Sequence, residues 1–329
     1  MILLPEFIIC SILIITASHF VCRYGKDIAI KMNWREGFVG VLFLAFATSL
    51  PELSTSLSSI PKLFAINNVN LGFGDAIGSL IINMMLIGFL DFFQGRGRIL
   101  LHAEKDNILT GTFTMLLLAT LAIFSFLRQI IGPFGFYFFG VGIESFLILG
   151  FYLLGMKITF RNRHVQEKKS NYRFAGTEWI KFVILLIIIF ALGIWLASIG
   201  KRISESTSIN QSFIGAFILA FSTSLPELAV SISALKMGSI DMAIANILGS
   251  NFFDVCIIPL MDIVYRSGPI LESIAPVNIF ITVLALVLTA IVVAGLSVRS
   301  KDTRMKLGWD TASILTLGAI GYYVIYRVG

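Results

Sequence analysis

Long apolar runs separated by short polar loops make up most of this 329-residue chain. Runs of roughly 17–25 residues are long enough for a helix to cross the hydrocarbon core of a membrane. The first run is interpreted as a span and not as a cleaved signal, because Met1 to Glu6 contains no basic residue. The pattern predicts an all-α membrane protein with ten transmembrane helices, near residues 3–22, 38–60, 74–93, 108–127, 134–155, 179–199, 212–235, 240–264, 274–297 and 309–327.

The composition agrees with a membrane protein. Hydrophobic residues make up 57% of the chain and charged residues only 13%, which is far more apolar than a soluble domain. A net charge of +6 raises the possibility of nucleic-acid binding, but the basic residues lie in short loops between apolar runs. That distribution is typical of membrane topology, so we expect the lipid bilayer as a partner and no nucleic acid. The three cysteines, Cys10, Cys22 and Cys256, show no spacing that indicates disulfides or zinc.

The distribution of positive charge predicts the orientation of the spans. Most of the 25 Lys and Arg residues lie in alternate loops, including the long basic loop at 156–178. Loops rich in Lys and Arg stay on the cytoplasmic side of a membrane. We therefore expect both termini outside the cell and the loop at 156–178 inside.

The second predicted span carries polar residues in the middle of an apolar run. Thr48, Ser49, Pro51 and Glu52 follow one another closely there. A carboxylate in a membrane costs several kcal/mol, so an intramembrane Glu indicates a functional site. Pro51 has no backbone N–H and leaves a carbonyl of the preceding turn without its helical partner. Hydroxyls, a free carbonyl and a carboxylate together suit a hard cation.

The same stretch recurs 175 residues later. Residues 220–228 match residues 45–53 at every position except Ala47, which is replaced by Ser222. Each half contains five spans, and an odd number means that the second copy enters the membrane in the opposite sense. We therefore expect a first five-helix repeat at 1–155, a cytoplasmic basic linker at 156–178 and a second, inverted five-helix repeat at 179–329.

An inverted repeat brings the two acidic residues together. Glu52 and Glu227 would meet near the membrane midplane, where two carboxylates repel each other strongly unless a cation lies between them. A second pair of motifs follows in each half, Gly78-Ser79 before Asn83 and Gly249-Ser250 before Asp254, 171 residues apart. Ser and Asn or Asp at positions i and i+4 lie on one helix face, so both oxygens can reach the same ion.

These paired motifs resemble the two alpha-repeats of the cation/calcium exchanger superfamily, and they are most similar to those of prokaryotic sodium/calcium exchangers. Potassium-dependent relatives carry Asp at the position of Asn83, so the resemblance argues against potassium coupling. The usual Gly before each Thr-Ser pair is Ala47 or Ser222 here. The resemblance implies ion ligands at Ala45 and Ala220, through their carbonyls, and at Thr48, Ser49, Glu52, Ser79, Asn83, Thr223, Ser224, Glu227, Ser250 and Asp254.

The resemblance implies a sodium/calcium antiporter that works by alternating access and extrudes calcium with the sodium gradient. We expect it in a prokaryotic cell membrane, with Na⁺ and Ca²⁺ as transported ions and no cofactor. Glu52, Glu227 and Asp254 carry a charge of −3, which three sodium ions neutralise. One calcium ion leaves a net charge of −1, which favours a proton on Asp254. Three sodium ions and one calcium ion therefore exclude each other from the site. Proton/calcium antiport is the alternative, and a cation channel is the alternative of another class.

Other motifs give weaker expectations. Gly72-Phe-Gly74-Asp75 matches the Gly-x-Gly-Asp of intramembrane aspartyl proteases, but the usual second Asp after Tyr is absent from the sequence. No Gly-rich phosphate loop or Ser-His-Asp set is evident, so we do not expect an enzyme. Asp91 and Asp262 end their spans and are expected to face lipid headgroups.

Overall fold

The described part of the chain is almost entirely helical, apart from one short hairpin. A computed structural model describes residues 3–31, 45–61, 66–94, 99–103, 106–132, 137–162, 176–207, 209–236, 238–298 and 308–328. Most of the predicted linker, residues 163–175, lies outside this described part.

The described helices of the first half are numbered α1 to α7. They are α1 (Leu3–Lys31), α2 (Ala45–Thr48), α3 (Leu50–Ser58), α4 (Val69–Gln94), α5 (Ile99–His102), α6 (Asp106–Ile131) and α7 (Ile143–Asn162). An antiparallel hairpin of β1 (Tyr137–Phe138) and β2 (Val141–Gly142) precedes α7.

The second half repeats much of this order. Its helices are α8 (Gly176–Thr207), α9 (Gln211–Phe213), α10 (Ala220–Thr223), α11 (Leu225–Lys236), α12 (Ile240–Tyr265), α13 (Val277–Val298) and α14 (Trp309–Val328). A π-helical segment, Ile214–Leu219, joins α9 to α10, and a 3₁₀ turn, Ile270–Glu272, follows α12.

Eight helical segments of the described residues are long and apolar enough to cross a membrane. Their outer faces carry exposed large hydrophobic side chains, such as Ile12, Ile123 and Ile187, as lipid-facing helices do. The second predicted span is described only from Ala45 onward. The fifth begins later than expected, because residues 137–142 form the hairpin, with positive φ at Phe139 and Gly140. The protein is therefore a multi-pass membrane protein.

Two helices are broken at equivalent positions. Ser49 separates α2 from α3 with φ −83° and ψ 8°, and Ser224 separates α10 from α11 with φ −81° and ψ 0°. Each break lies two residues before a proline, whose ring disfavours helical geometry in the preceding residue. Hydrogen bonds still cross each break, because the Ser49 N–H donates to Ala45 and the Ser224 N–H to Ala220, both at 3.0 Å.

The core is built around α4 and α12, which are the most completely buried of the long helices. Their apolar side chains pack with those of α6 and α13 in one large cluster. Helices α1 and α8 pack against each other and against the broken helices in two smaller clusters. Both motif pairs consequently lie inside the protein and not on its lipid-facing surface.

The expectation that Asp91 and Asp262 face headgroups is wrong, because both are buried. The Asp91 carboxylate accepts hydrogen bonds from the Ile99 N–H at 2.8 Å and the Thr311 hydroxyl at 2.7 Å. The Asp262 carboxylate accepts from the Ile270 N–H at 2.7 Å, and also from the Gly142 N–H and the Ser145 hydroxyl. Each aspartate therefore fixes the short helical turn that follows its helix.

Candidate ion-binding site

The site lies where α4 and α12 cross at their middles. Asn83 donates to the Asn251 side chain at 2.8 Å, and Ser79 donates to Asp254 Oδ2 at 3.3 Å. Residue numbers fall along α12 as they rise along α4, so the two helices cross antiparallel. The second motif pair is thereby brought together from opposite halves of the chain, as the sequence predicted.

The two broken helices supply the glutamates. Glu52 follows the break before α3 and Glu227 follows the break before α11, and neither side chain is exposed. Glu227 Oε1 accepts from the Ser250 hydroxyl at 3.3 Å. Glu52 is close enough to Glu227 and Asp254 for their charges to interact. The structure thus brings together the three acids that the sequence selected.

Several oxygen atoms in this region are buried without a hydrogen-bond partner among the described residues. They are both carboxylate oxygens of Glu52, Glu227 Oε2, Asp254 Oδ1 and Asn83 Oδ1. Buried polar atoms are nearly always hydrogen-bonded, and an unpaired buried carboxylate is especially costly. Buried acceptors that lack donors are suited to binding cations.

The hydroxyls near the breaks link the halves of the chain. Thr48 Oγ1 lies 3.2 Å from Ser250 Oγ and also donates to the Ala45 carbonyl at 3.1 Å. Thr223 Oγ1 approaches the Ala220 carbonyl at 3.3 Å. Ser49 and Ser224 are buried at the breaks themselves. The carbonyls of Ala45 and Ala220 already accept the N–H groups of Ser49 and Ser224, so an ion there would use the lone pair that the threonine hydroxyl approaches.

Asn251 is a site residue that the sequence analysis missed. Its amide nitrogen donates to the Leu80 carbonyl at 3.3 Å, and its amide oxygen accepts from Asn83. This orientation leaves Asn83 Oδ1 free to face an ion. The sequence feature that could have identified Asn251 is its position directly after Ser250 in the second motif.

Asp75 is a second site residue that the sequence analysis missed. It is fully buried and accepts a hydrogen bond from the Thr223 hydroxyl at 3.2 Å. Its charge interacts with those of Glu52 and Asp254. The sequence feature that could have identified Asp75 is its spacing from the second motif, because Asp75, Ser79 and Asn83 follow one another at intervals of four residues.

The acids do not form one compact cage. Across the described ranges, no group of three or more His, Cys, Asp or Glu side chains is tight enough to hold a metal ion by itself. An ion in this region would therefore complete its shell with hydroxyl, amide and carbonyl oxygens. Such a mixed shell is ordinary for calcium and other hard cations.

Comparison with known protein families agrees with the geometry. The family model described as sodium/calcium exchanger protein matches residues 3–159 and 177–328, which is nearly the whole chain. The chain belongs to this family. It is therefore a member of a family of membrane exchangers, and the acids at the helix breaks lie within the matched segments.

This exchanger is 27% identical over 254 residues to an uncharacterized membrane protein of Methanocaldococcus jannaschii, with 76% of this chain and 77% of that protein covered. The solved H⁺/Ca²⁺ exchanger CAX matches with a TM-score of 0.70 and 11% identity, over 99% of this chain and 85% of that chain. The sodium–calcium exchanger NCX_Mj matches with a TM-score of 0.63 and 21% identity, over 98% of each chain. These two likenesses establish the exchanger fold.

Proposed function

We propose that this exchanger is a sodium/calcium antiporter that extrudes calcium with the sodium gradient. The observation that carries the proposal is the set of buried oxygens of Glu52, Glu227, Asp254 and Asn83 at the antiparallel crossing, which have no hydrogen-bond partner in the described part of the chain. Carboxylates in the middle of a membrane protein mark ion pathways. Transporters commonly bind their ions at broken helices near the midplane.

The ions are bound by twelve residues, six from each half of the chain. Carboxylates supply the charge, hydroxyls and carbonyls complete the shell, and Asn83 contributes a neutral oxygen. The proposed ligands are Ala45, Thr48, Ser49, Glu52, Ser79, Asn83, Ala220, Thr223, Ser224, Glu227, Ser250 and Asp254.

The halves of the molecule are two inverted repeats of five spans each, ten in all. Equal lengths support this, because α4 and α12 both have 26 residues and start 171 positions apart. Equivalent hydrogen bonds also support it. The Asp91 carboxylate accepts from the Ile99 N–H and the Asp262 carboxylate from the Ile270 N–H, in each case eight residues later. The equivalent helix breaks and the antiparallel crossing are consistent with the same arrangement.

Exchange follows from the charge of the site. Three sodium ions balance the three acids at Glu52, Glu227 and Asp254, and one calcium balances two of them. Both loads together would leave an excess of positive charge in a region of low dielectric, where like charges repel strongly. The empty site, with bare carboxylates, resists closure, so the protein changes sides only when it is loaded.

The two halves differ in a way that suits alternating access. Thr48 lies against Ser250, whereas the equivalent Thr223 donates to Asp75. In an inverted repeat, exchanging the conformations of the two halves converts an opening on one side into an opening on the other. The observed asymmetry is therefore expected of a protein that alternates between two such states.

Proton/calcium antiport is the second candidate. The observation that favours it is the likeness to CAX, an H⁺/Ca²⁺ exchanger, whose TM-score of 0.70 exceeds the 0.63 of NCX_Mj. The buried acids of the site are groups that can also carry protons.

Transport in vesicles of purified protein distinguishes the two. Sodium-loaded vesicles diluted into sodium-free, calcium-containing buffer should accumulate calcium, and an imposed pH gradient without sodium should not drive uptake. Calcium uptake that follows the pH gradient and ignores sodium would support proton coupling instead. Flux that saturates far below channel rates would exclude a channel.

A further inference from the structure

Asp75 belongs to a stripe of polar residues that runs along α4. Asp75, Ser79 and Asn83 are spaced by four and therefore share one helix face. All three are fully buried. The equivalent stripe of α12 has the same spacing but the reverse order of acid and amide, with Asn246, Ser250 and Asp254.

The reversed order places both aspartates at one end of the site. Because α4 and α12 cross antiparallel, Asp254 lies beside Ser79, and Asp75 lies one turn beyond Ser79. The amide of Asn83 meets Asn251 at the other end. The two aspartates of the stripes thus lie toward the end where α4 enters the site, and the two asparagines lie toward the end where α4 leaves it.

The surroundings of Asp75 leave its charge without compensation. The Thr223 hydroxyl donates to Oδ1, and Oδ2 has no partner among the described residues. Among the described residues, the charged groups that interact with it are the acids Glu52 and Asp254. A buried carboxylate with only like charges nearby costs several kcal/mol unless a cation or a proton joins it.

Acids that serve the fold look different in this molecule. Both carboxylate oxygens of Asp91 are hydrogen-bonded. The Glu144 carboxylate receives two hydrogen bonds from Arg128, at 2.6 and 2.9 Å. Asp75 has neither a full set of donors nor a basic partner within the described residues, so a purely structural role does not account for it.

We propose that Asp75 and the Thr223 hydroxyl form an additional subsite for one monovalent cation, sodium or potassium, at the aspartate end of the site. The inference deepens the proposed exchange function and rests on it. A carboxylate and a hydroxyl are hard oxygen ligands, which suit both ions. A second divalent ion is disfavoured there, because it would repel the calcium held by Glu52 and Glu227.

The test counts bound ions directly. Purified wild type and Asp75→Asn are dialysed to equilibrium in calcium-free buffer with radioactive sodium, or in a parallel arm with radioactive rubidium in place of potassium. At saturation the variant should bind one ion fewer per molecule. The loss appears in the sodium arm if the subsite takes sodium and in the rubidium arm if it takes potassium.

Two further variants control the measurement. Asp75→Glu keeps the charge and should keep the ion. Asp91→Asn removes another buried acid of α4, one that is fully hydrogen-bonded, and should leave the count unchanged. Since Asp75→Asn removes an unpaired buried charge, it should fold normally, and a single symmetric peak in size-exclusion chromatography checks this.

Equal counts for wild type and Asp75→Asn in both arms would overturn the subsite, as would the same loss in Asp91→Asn. The count does not depend on transport. If wild-type vesicles failed to exchange sodium for calcium, the proposed function would fall, and the subsite would still be decided by the dialysis.

Discussion

At the scale of single residues, carboxylate oxygens without donors distinguish the candidate ion site from the other buried acids of the described residues. The carboxylate of Glu52 has two unpartnered oxygens, whereas those of Asp91 and Asp262 are fully hydrogen-bonded among the described residues. The difference matters because burial alone does not indicate function. A buried acid whose oxygens all accept hydrogen bonds stabilises the fold. A buried acid whose oxygens lack hydrogen-bond donors is a candidate ligand for an ion.

Replacing Asp254 by Asn tests which of the three acids are needed to bind calcium and which are needed to bind sodium. Calcium requires two charges, which Glu52 and Glu227 supply, whereas three sodium ions require a third. We therefore expect Asp254→Asn to bind calcium almost normally and to need more sodium to displace it. Calorimetric calcium titration at several sodium concentrations checks this, with Asp241→Asn at the start of α12 as the control. Lost calcium binding with an unchanged sodium response would identify Asp254 as a direct calcium ligand.

Asn251 gives a prediction about positioning. Its side chain fixes the amide of Asn83, and removal of such an outer partner typically lowers metal affinity by about 10–100-fold. We expect Asn251→Ala to weaken calcium binding by about tenfold or more. Asn278→Ala is the matched control, because Asn278 is a buried amide bonded to Asn70 at the far end of α4. Equal losses in the two variants would show a general packing effect and contradict the positioning role.

At the scale of elements, close backbone packing sets the geometry of the site. A Cβ added at Gly78 would lie 2.3 Å from the Ala216 Cα, and one added at Gly215 would lie 2.2 Å from the Leu71 carbonyl oxygen. Small residues thus let α4 and the π-helical segment approach closely, as is common between membrane helices. The Tyr322 hydroxyl lies within hydrogen-bond distance of both elements, 3.0 Å from the Ala216 carbonyl and 3.3 Å from the Gly78 carbonyl.

Gly78→Ala should separate these two elements. The backbone of Ala216 cannot move aside cheaply, and overpacking of this kind typically costs about 1–3 kcal/mol. We expect a lower thermal midpoint in detergent and weaker calcium binding. Gly150→Ala on α7 is the control, because a Cβ there meets nothing within 4 Å. A thermal midpoint for Gly78→Ala equal to that of the control would contradict the packing described here.

Sequence patterns identified the candidate site residues that lie in repeated motifs and missed those whose proposed role depends on contacts across the fold. The pairing of Glu52 with Glu227 was predictable because both follow identical Thr-Ser-Leu-Pro segments. Asp75 was missed because its proposed role depends on a contact with Thr223, which lies in the other half of the chain. Asp91 was misjudged because its partner Thr311 is 220 residues away.

Hydropathy likewise located most spans but not their limits. The apolar run at 134–155 reads as one continuous helix, yet the helix begins only at Ile143. The preceding turn depends on positive φ at Phe139 and Gly140, which hydropathy does not register. The break at Ser49 was better marked, because Pro51 restricts the backbone before it.

At the scale of the whole molecule, the proposed inverted repeat and the charge bias together predict which loops face outside. Cysteines introduced at Lys62 and Arg266 should react with an impermeant reagent added to intact cells. Cysteines at Arg98 and Lys168 should react only after the membrane is opened, because loops rich in Lys and Arg remain inside. If cysteines at positions 98 and 168 reacted from outside, the predicted orientation of the protein would be contradicted.

Calcium uptake by sodium-loaded vesicles, compared between wild type and Glu52→Gln or Glu227→Gln, tests ion exchange at the helix breaks most directly. Each variant preserves side-chain shape and removes one charge, and binding of a hard divalent ion depends on that charge. We expect both variants to fold and insert normally but to show no sodium-driven uptake, whereas Glu205→Gln at an exposed site should match wild type. Near-normal uptake by both Glu52→Gln and Glu227→Gln would contradict the assignment of the site.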